Sequence, residues 1–214
     1  MGSPEILEAD TDQLKALSQF YQLLSRVWLN EADAALLELL QSPDVRPLFE
    51  EAGGRLPTES ENPEERQTEE QQKVLDELAI DYCRLLLGPR GHFPPYQSVW
   101  QTGQFQGTAV TGMREFIGLL ACEPALGVCD TMPDHLAVQL RVMGVIADRM
   151  ATAEAPAARA LLVDVARGYF ERHLSWPQEL LESVAKNAET DFYRSVAQMT
   201  EAFLQTERTA WFGE

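Results

Sequence analysis

The strongest constraint on the fold is the spacing of the apolar side chains. In segment after segment it follows the 3.6-residue period of an α-helix, and no stretch shows a convincing strand period. Residues 11–29 set Leu14, Leu17, Tyr21, Leu24 and Trp28 on one stripe, with Thr11 or Asp12 as the N-cap. A second helix starts at Asn30 or Asp33 and ends at Pro43, and residues 44–52 form a short piece closed by Gly53 and Gly54. Val74, Leu78, Tyr82 and Leu85 share a face of a helix running from about Glu69 to Leu87. Further helices are expected over Gly107–Ala121 (with Gly112 inside it), from Pro133 through Met150, and over Pro156–His173. Trp176–Pro177 separates these from two last helices, roughly 177–188 and 190–207. The expected fold is all-α: a single-domain helical bundle of about eight to ten helices over residues 1–214, with no sheet.

Composition narrows the function. A hydrophobic content of 45% over 214 residues supports a real core. The formal net charge of −17 argues against nucleic acid as a partner and against stable docking on anionic membranes. It favours a cationic partner, such as an arginine-bearing peptide, beyond its plain contribution to solubility. The start, MGSPEILEADTDQ, has neither a basic n-region nor an apolar h-region, so a secretory signal is not expected. Cys83, Cys122 and Cys129 form no C-x-x-C, which suits reduced thiols in a cytoplasmic protein rather than a metal site. Residues 55–72 are polar, acidic and carry two prolines, the composition of a mobile surface loop, and 122–132 read as a connecting loop.

No catalytic constellation emerges. There is no G-x-S-x-G, H-E-x-x-H or phosphate loop, and His92, His135 and His173 stand in unrelated contexts. His173, near a helix end, reads as structural. The expected count of catalytic residues, metal ligands and cofactors is none.

The feature left over is residues 88–100, GPRGHFPPYQSVW. Prolines hold such a backbone extended at low entropic cost, and Phe93, Tyr96 and Trp100 supply large apolar area with polar handles. That chemistry fits a peptide-binding groove as well as a rigid crossing packed into the core. Asp134, expected in the first turn of its helix, reads as a capping residue, and its chain neighbour His135 points elsewhere.

Three segments in order carry a resemblance. DYCRLLLGP and PPYQSVW (81–89 and 94–100), PDHLAVQLRVMGVIA (133–147), and FERHLSWP with DFYRSVAQMTEAFLQTE (170–177 and 191–207) resemble the TorD/DmsD family of redox-enzyme maturation chaperones. The departures are Leu87, where the family often has Phe, and Gln139, where it usually has Glu. The second removes a charge near Asp134 and is expected to alter partner choice.

The resemblance implies a cytoplasmic, non-enzymatic chaperone. Its partners would be the twin-arginine signal peptide and the apo form of a molybdopterin oxidoreductase, held back from export until its cofactor is inserted. Carried over residue by residue, the peptide-binding surface would be Leu85, Gly88, Pro89, Pro94, Pro95, Tyr96, Ser98, Trp100, Asp134 and His135. Tyr96, Trp100 and Leu85 would take the apolar part of the peptide, and Asp134 would face the arginines. The resemblance also allows weak guanine-nucleotide binding, and a monomer or helix-swapped dimer. The alternatives are an assembly chaperone for a molybdoenzyme without a twin-arginine leader (nitrate-reductase type), or a helical adaptor that is no chaperone.

Overall fold

The computed structural model describes residues 10–57, 69–122 and 132–212. Among these the ordered elements are helices: α1 (Thr11–Leu29), α2 (Ala34–Gln41), α3 (Arg46–Glu51), α4 (Glu69–Tyr82), α5 (Gln97–Thr102), α6 (Thr108–Leu120), α7 (Leu136–Thr152), α8 (Pro156–His173), α9 (Gln178–Asn187) and α10 (Asp191–Phe212). The all-α expectation holds. Of the acidic stretch 55–72, residues 58–68 lie outside the described residues, and Glu69–Gln72 already belong to α4. Residues 123–131 of the connecting loop, with Cys129, lie outside them too. Among the described residues no helix is long and apolar enough to cross a membrane.

Several boundaries moved for local reasons. The cap of α1 is Asp10 rather than Thr11 or Asp12. Its Oδ1 accepts from the amides of Asp12 (2.9 Å) and Gln13 (2.8 Å), while Gln13 Oε1 accepts from the Asp10 amide (2.8 Å). This reciprocal capping box satisfies donors that a helix start otherwise leaves bare. Of the two starts offered for α2, Asp33 is the cap, accepting from Leu36 N. The helix expected to reach Leu87 is α-helical only to Tyr82 and finishes as a π-helical turn, Cys83–Leu87. That wider turn buries Leu85 and Leu86 side by side and leaves Leu87 64% exposed.

The chain divides into two compact units. One contains α1, residues 95–177 and the end of α10 from Leu204. Its centre is α7, buried along most of its length, against which α1 lies. Gly144 makes the approach possible: a Cβ there would stand 3.2 Å from the Ser18 carbonyl. The Ser18 hydroxyl donates to the Gly144 carbonyl at 2.8 Å, so the polar group at this crossing is satisfied. At the end of α10 the buried Glu207 Oε2 accepts from Tyr21 Oη (3.0 Å) and Trp211 Nε1 (3.3 Å).

The other unit contains residues 30–94 and 178–203. Phe49 stacks on Phe192, and Tyr82 packs against Tyr193. Its polar centre is Asp81, 1% exposed in an otherwise apolar setting. The carboxylate accepts from the amides of Glu189 (3.1 Å) and Thr190 (2.8 Å), from Thr190 Oγ1 (2.7 Å) and from Arg84 (2.7 Å). Arg84 also donates to the Asn187 carbonyl at 2.6 Å. Thus the Asp and Arg of DYCRLLLGP clasp the turn between α9 and α10, and the carboxylate holds Thr190, whose Oγ1 accepts from Tyr193 N in the first turn of α10.

Two stability effects follow. Asp81→Ala leaves the 189–190 amides without their acceptor while Arg84 keeps Asn187 and Glu189, and is expected to cost about 2–3 kcal/mol in urea unfolding. For Glu207, burial pushes the carboxyl up to about 7, against the opposing pull of the Tyr21 and Trp211 hydrogen bonds. A folded value above the unfolded one means stability that is full at low pH and lost as pH rises through about 7. Glu207→Gln keeps the acceptor without the charge. It should raise stability by ~1–3 kcal/mol at about pH 8, with the difference vanishing below about pH 4, checked by urea midpoints across pH.

Candidate functional site

The segment that carries the aromatic residues does not stay a loop to Trp100. Residues 97–102 wind into α5, which buries Gln97 and Ser98. The missed turn has a tertiary cause. The main chain around Tyr96 pairs with that around His135 in an antiparallel bridge, Gln97 N to Asp134 O at 3.0 Å and Leu136 N to Pro95 O at 2.8 Å. The two motifs, whose bridged residues are 39 sequence positions apart, meet there because each satisfies the other's backbone groups.

Side chains reinforce the pairing. The Tyr96 ring meets His135 edge-on at 4.9 Å, and Phe105 meets Tyr96 in the same manner at 5.3 Å. Phe105 is 57% exposed, so it forms the outer face of an aromatic stack. Burial and then the nearby Asp134 carboxylate raise the Tyr96 phenol. His135 is the N-cap of α7, its Nδ1 accepting from Ala137 N at 3.0 Å. Burial lowers its imidazole to about 4, so it is neutral with the proton on Nε2.

Asp134 is fully buried and lies before α7 rather than in its first turn. It is a cap, but of the neighbouring helix: Oδ2 accepts from Ser98 N, in the first turn of α5, at 3.0 Å. Asp134 Oδ1 and Ser98 Oγ are buried without a hydrogen-bond partner. In this arrangement the carboxylate is not presented to an arginine from outside, unlike the expectation from the resemblance. Leu85, expected to take apolar peptide, is 1% exposed and belongs to the other unit, as do Gly88, Pro89 and Pro94. There the Leu85 carbonyl accepts from Phe93 N at 2.7 Å, closing a turn whose tip exposes Pro89 and Arg90. Tyr96 and Trp100 are half-buried.

Beneath α5 lies a polar chain that sequence reasoning missed. Trp176 Nε1 donates to Gln139 Oε1 (2.8 Å), Gln139 Nε2 to Gln97 Oε1 (2.6 Å), and Gln97 Nε2 to the Arg172 carbonyl (2.7 Å). His173 Nδ1 lies 3.0 Å from the same Gln97 Oε1. Gln139, expected to influence partner choice through a missing charge, is instead fully buried in this chain. The structural reading of His173 stands: its ring packs between Tyr169 and Phe116, and burial, then Arg172, lowers it to about 4. Gly112 gives the ring room, since a Cβ would meet the imidazole at 3.2 Å and press on it. The available signal was Gln139, a polar residue where the helical period of α7 calls for an apolar one; Gln97, in a stretch without that period, carried none.

Among the described residues no cluster of three or more His, Cys, Asp or Glu is placed to hold a metal. What the arrangement offers is a braced aromatic surface on an acidic chain. The helical scaffold matches that of a solved structure, a crystal structure described as that of a redox enzyme maturation protein from Archaeoglobus fulgidus, with a TM-score of 0.52 at 20% identity, covering 90% of this chain and 94% of that one. At that identity the likeness is one of fold. Residues 49–182 match the family model described as nitrate reductase delta subunit, a span that includes the PPYQSVW, PDHLAVQ and FERHLSW segments. The chain belongs to the nitrate reductase delta subunit family, a TorD-like family of redox enzyme maturation proteins. The family is one of molybdoenzyme assembly chaperones rather than catalysts. No curated protein matches the chain.

The Asp134 geometry sets a test. Asp134→Ala should destabilise the protein by about 1 kcal/mol through the lost α5 cap. The loss should be the same at low and high salt, because the group is sealed from solvent; a loss that shrinks with salt would return Asp134 to the surface.

Proposed function

We propose that this protein is an assembly chaperone that holds the apo form of a molybdopterin oxidoreductase through the client's N-terminal twin-arginine signal peptide until the cofactor is inserted. The observation that carries the reading is the stack of Phe105, Tyr96 and His135 braced by the 96–135 bridge, next to Trp100, in a chain of net charge −17. Large rings on a backbone already held in place bind an apolar peptide stretch with little ordering cost. The excess of carboxylates draws a peptide that carries arginines. In this reading Tyr96 and Trp100 touch the peptide, with Pro95 holding the entry to α5, while Ser98, Asp134 and His135 hold that surface in shape. Leu85, Gly88, Pro89 and Pro94 shape the closed turn before it.

A second reading has one observation in its favour, the nitrate reductase delta subunit match. There the client lacks a twin-arginine leader and is held through another N-terminal segment. Calorimetry separates the two, using a synthetic peptide with two consecutive arginines followed by an apolar stretch, and the same peptide with both arginines replaced by glutamine. The first reading expects binding that weakens with the replacement and with salt. Equal affinity for both peptides favours the second.

Trp100→Ala should lower affinity for the two-arginine peptide at least roughly tenfold with unchanged far-UV circular dichroism. An unchanged affinity removes Trp100 from the contact surface.

A further inference from the structure

We propose that the buried chain Trp176–Gln139–Gln97–His173 sets the orientation of α5, and that it requires at position 139 a side chain that both accepts and donates a hydrogen bond. Gln97 and Gln139 are then positioning residues. The inference rests on the proposed function only in taking α5, with Tyr96 and Trp100, as client-facing.

The polarity of the chain follows from its two ends. An indole N–H only donates, so the Gln139 atom 2.8 Å from Trp176 Nε1 is the amide oxygen. Gln139 therefore turns its NH2 to Gln97, and the atom met at 2.6 Å is an oxygen. At the other end the Arg172 main-chain carbonyl only accepts, so the Gln97 atom at 2.7 Å is the NH2. The two ends demand the same orientation of Gln97. Its oxygen has one lone pair left, and His173 Nδ1 at 3.0 Å must carry the proton to use it. His173 Nε2 is then a bare lone pair, buried without a partner against Gly112. A proton there would be an N–H with nothing to accept it, in line with the lowered imidazole value.

Gln97 follows Tyr96 in the chain and is 2% exposed, so α5 cannot turn about its axis without breaking these bonds. A carboxylate at 139 still accepts from Trp176 but sets an acceptor against Gln97 Oε1. If Gln97 turns over to supply its NH2, its oxygen meets the Arg172 carbonyl, and His173 must move its proton to Nε2. Only a protonated carboxyl can replace the amide, accepting at one oxygen and donating from the other. The titratable and charged groups adjoining the chain are Arg172, His173 and Tyr169 on α8, and Asp134 and His135 on the turn before α7.

The test uses the full-length, nitrogen-15-labelled protein. Long-range proton–nitrogen spectra report the His173 tautomer, and amide exchange reports the hold on residues 97–102. In the wild type His173 should be neutral with the proton on Nδ1. Gln139→Glu at neutral pH should lose that signature and exchange the 97–102 amides roughly tenfold faster, both recovering as acid protonates the new carboxyl. Gln139→Met should loosen α5 at every pH. If Gln139→Glu fails to fold at neutral pH, the Gln139→Met exchange rates and the wild-type His173 tautomer still decide the inference. A wild-type His173 protonated on Nε2 overturns the polarity. Folded variants with wild-type exchange in α5 overturn the positioning role. Should the wild type ignore the two-arginine peptide, the proposed function falls while these readouts still decide the inference.

Discussion

A buried chain of hydrogen bonds centred on Gln139 to Gln97 joins the PPYQSVW, PDHLAVQ and FERHLSW segments of the family likeness. Gln97 comes from PPYQSVW, Gln139 from PDHLAVQ, and the partners at the two ends, His173 and Trp176, from FERHLSW. In an apolar interior an amide left without partners costs more than a completed pair gains. Each amide here therefore ties down the other segment as well as its own. The aromatic stack of Phe105, Tyr96 and His135 depends on this, because Tyr96 is the residue next to Gln97.

The same economy of polar groups recurs at Asp81 and Asp134. Each carboxylate serves a helix to which it does not belong: Asp134 caps the start of α5, and Asp81 holds Thr190, whose hydroxyl caps α10. A cap supplied from another segment works as a tertiary contact, since the helix and the donor of the cap must be in place together. For a protein whose task is to hold a client, this matters in a specific way. In the proposed reading client contact falls to rings at the surface, which adapt by small rotations, while their backbone is fixed by bonds sealed from solvent.

Much of the fold was legible in the sequence. The helical period located the long helices α1, α7, α8 and α10 within a few residues, since each buries a continuous stripe. Of the caps, Asp33 was one of two that the sequence offered for α2, whereas that of α1, Asp10, lies just before the two it offered. The π-turn after Tyr82 was not, because it changes the hydrogen-bonding partner without changing the apolar pattern. Helix α5 was hidden for another reason: its buried residues are Gln97 and Ser98, polar types whose burial makes sense only once Asp134, Gln139 and His173 are beside them.

The sequence by itself determined an all-helical, acidic protein, because apolar spacing and net charge are local or additive quantities; the maturation-chaperone reading came from the resemblance of its motifs. It also marked Tyr96, Trp100, Asp134 and His135 as residues of interest. Their separation into roles was decided by tertiary structure alone. Asp134 lies buried under α5 and Phe105 stands at the exposed edge of the stack, a distinction set by which distant backbone amides and carbonyls needed partners once the helices had packed.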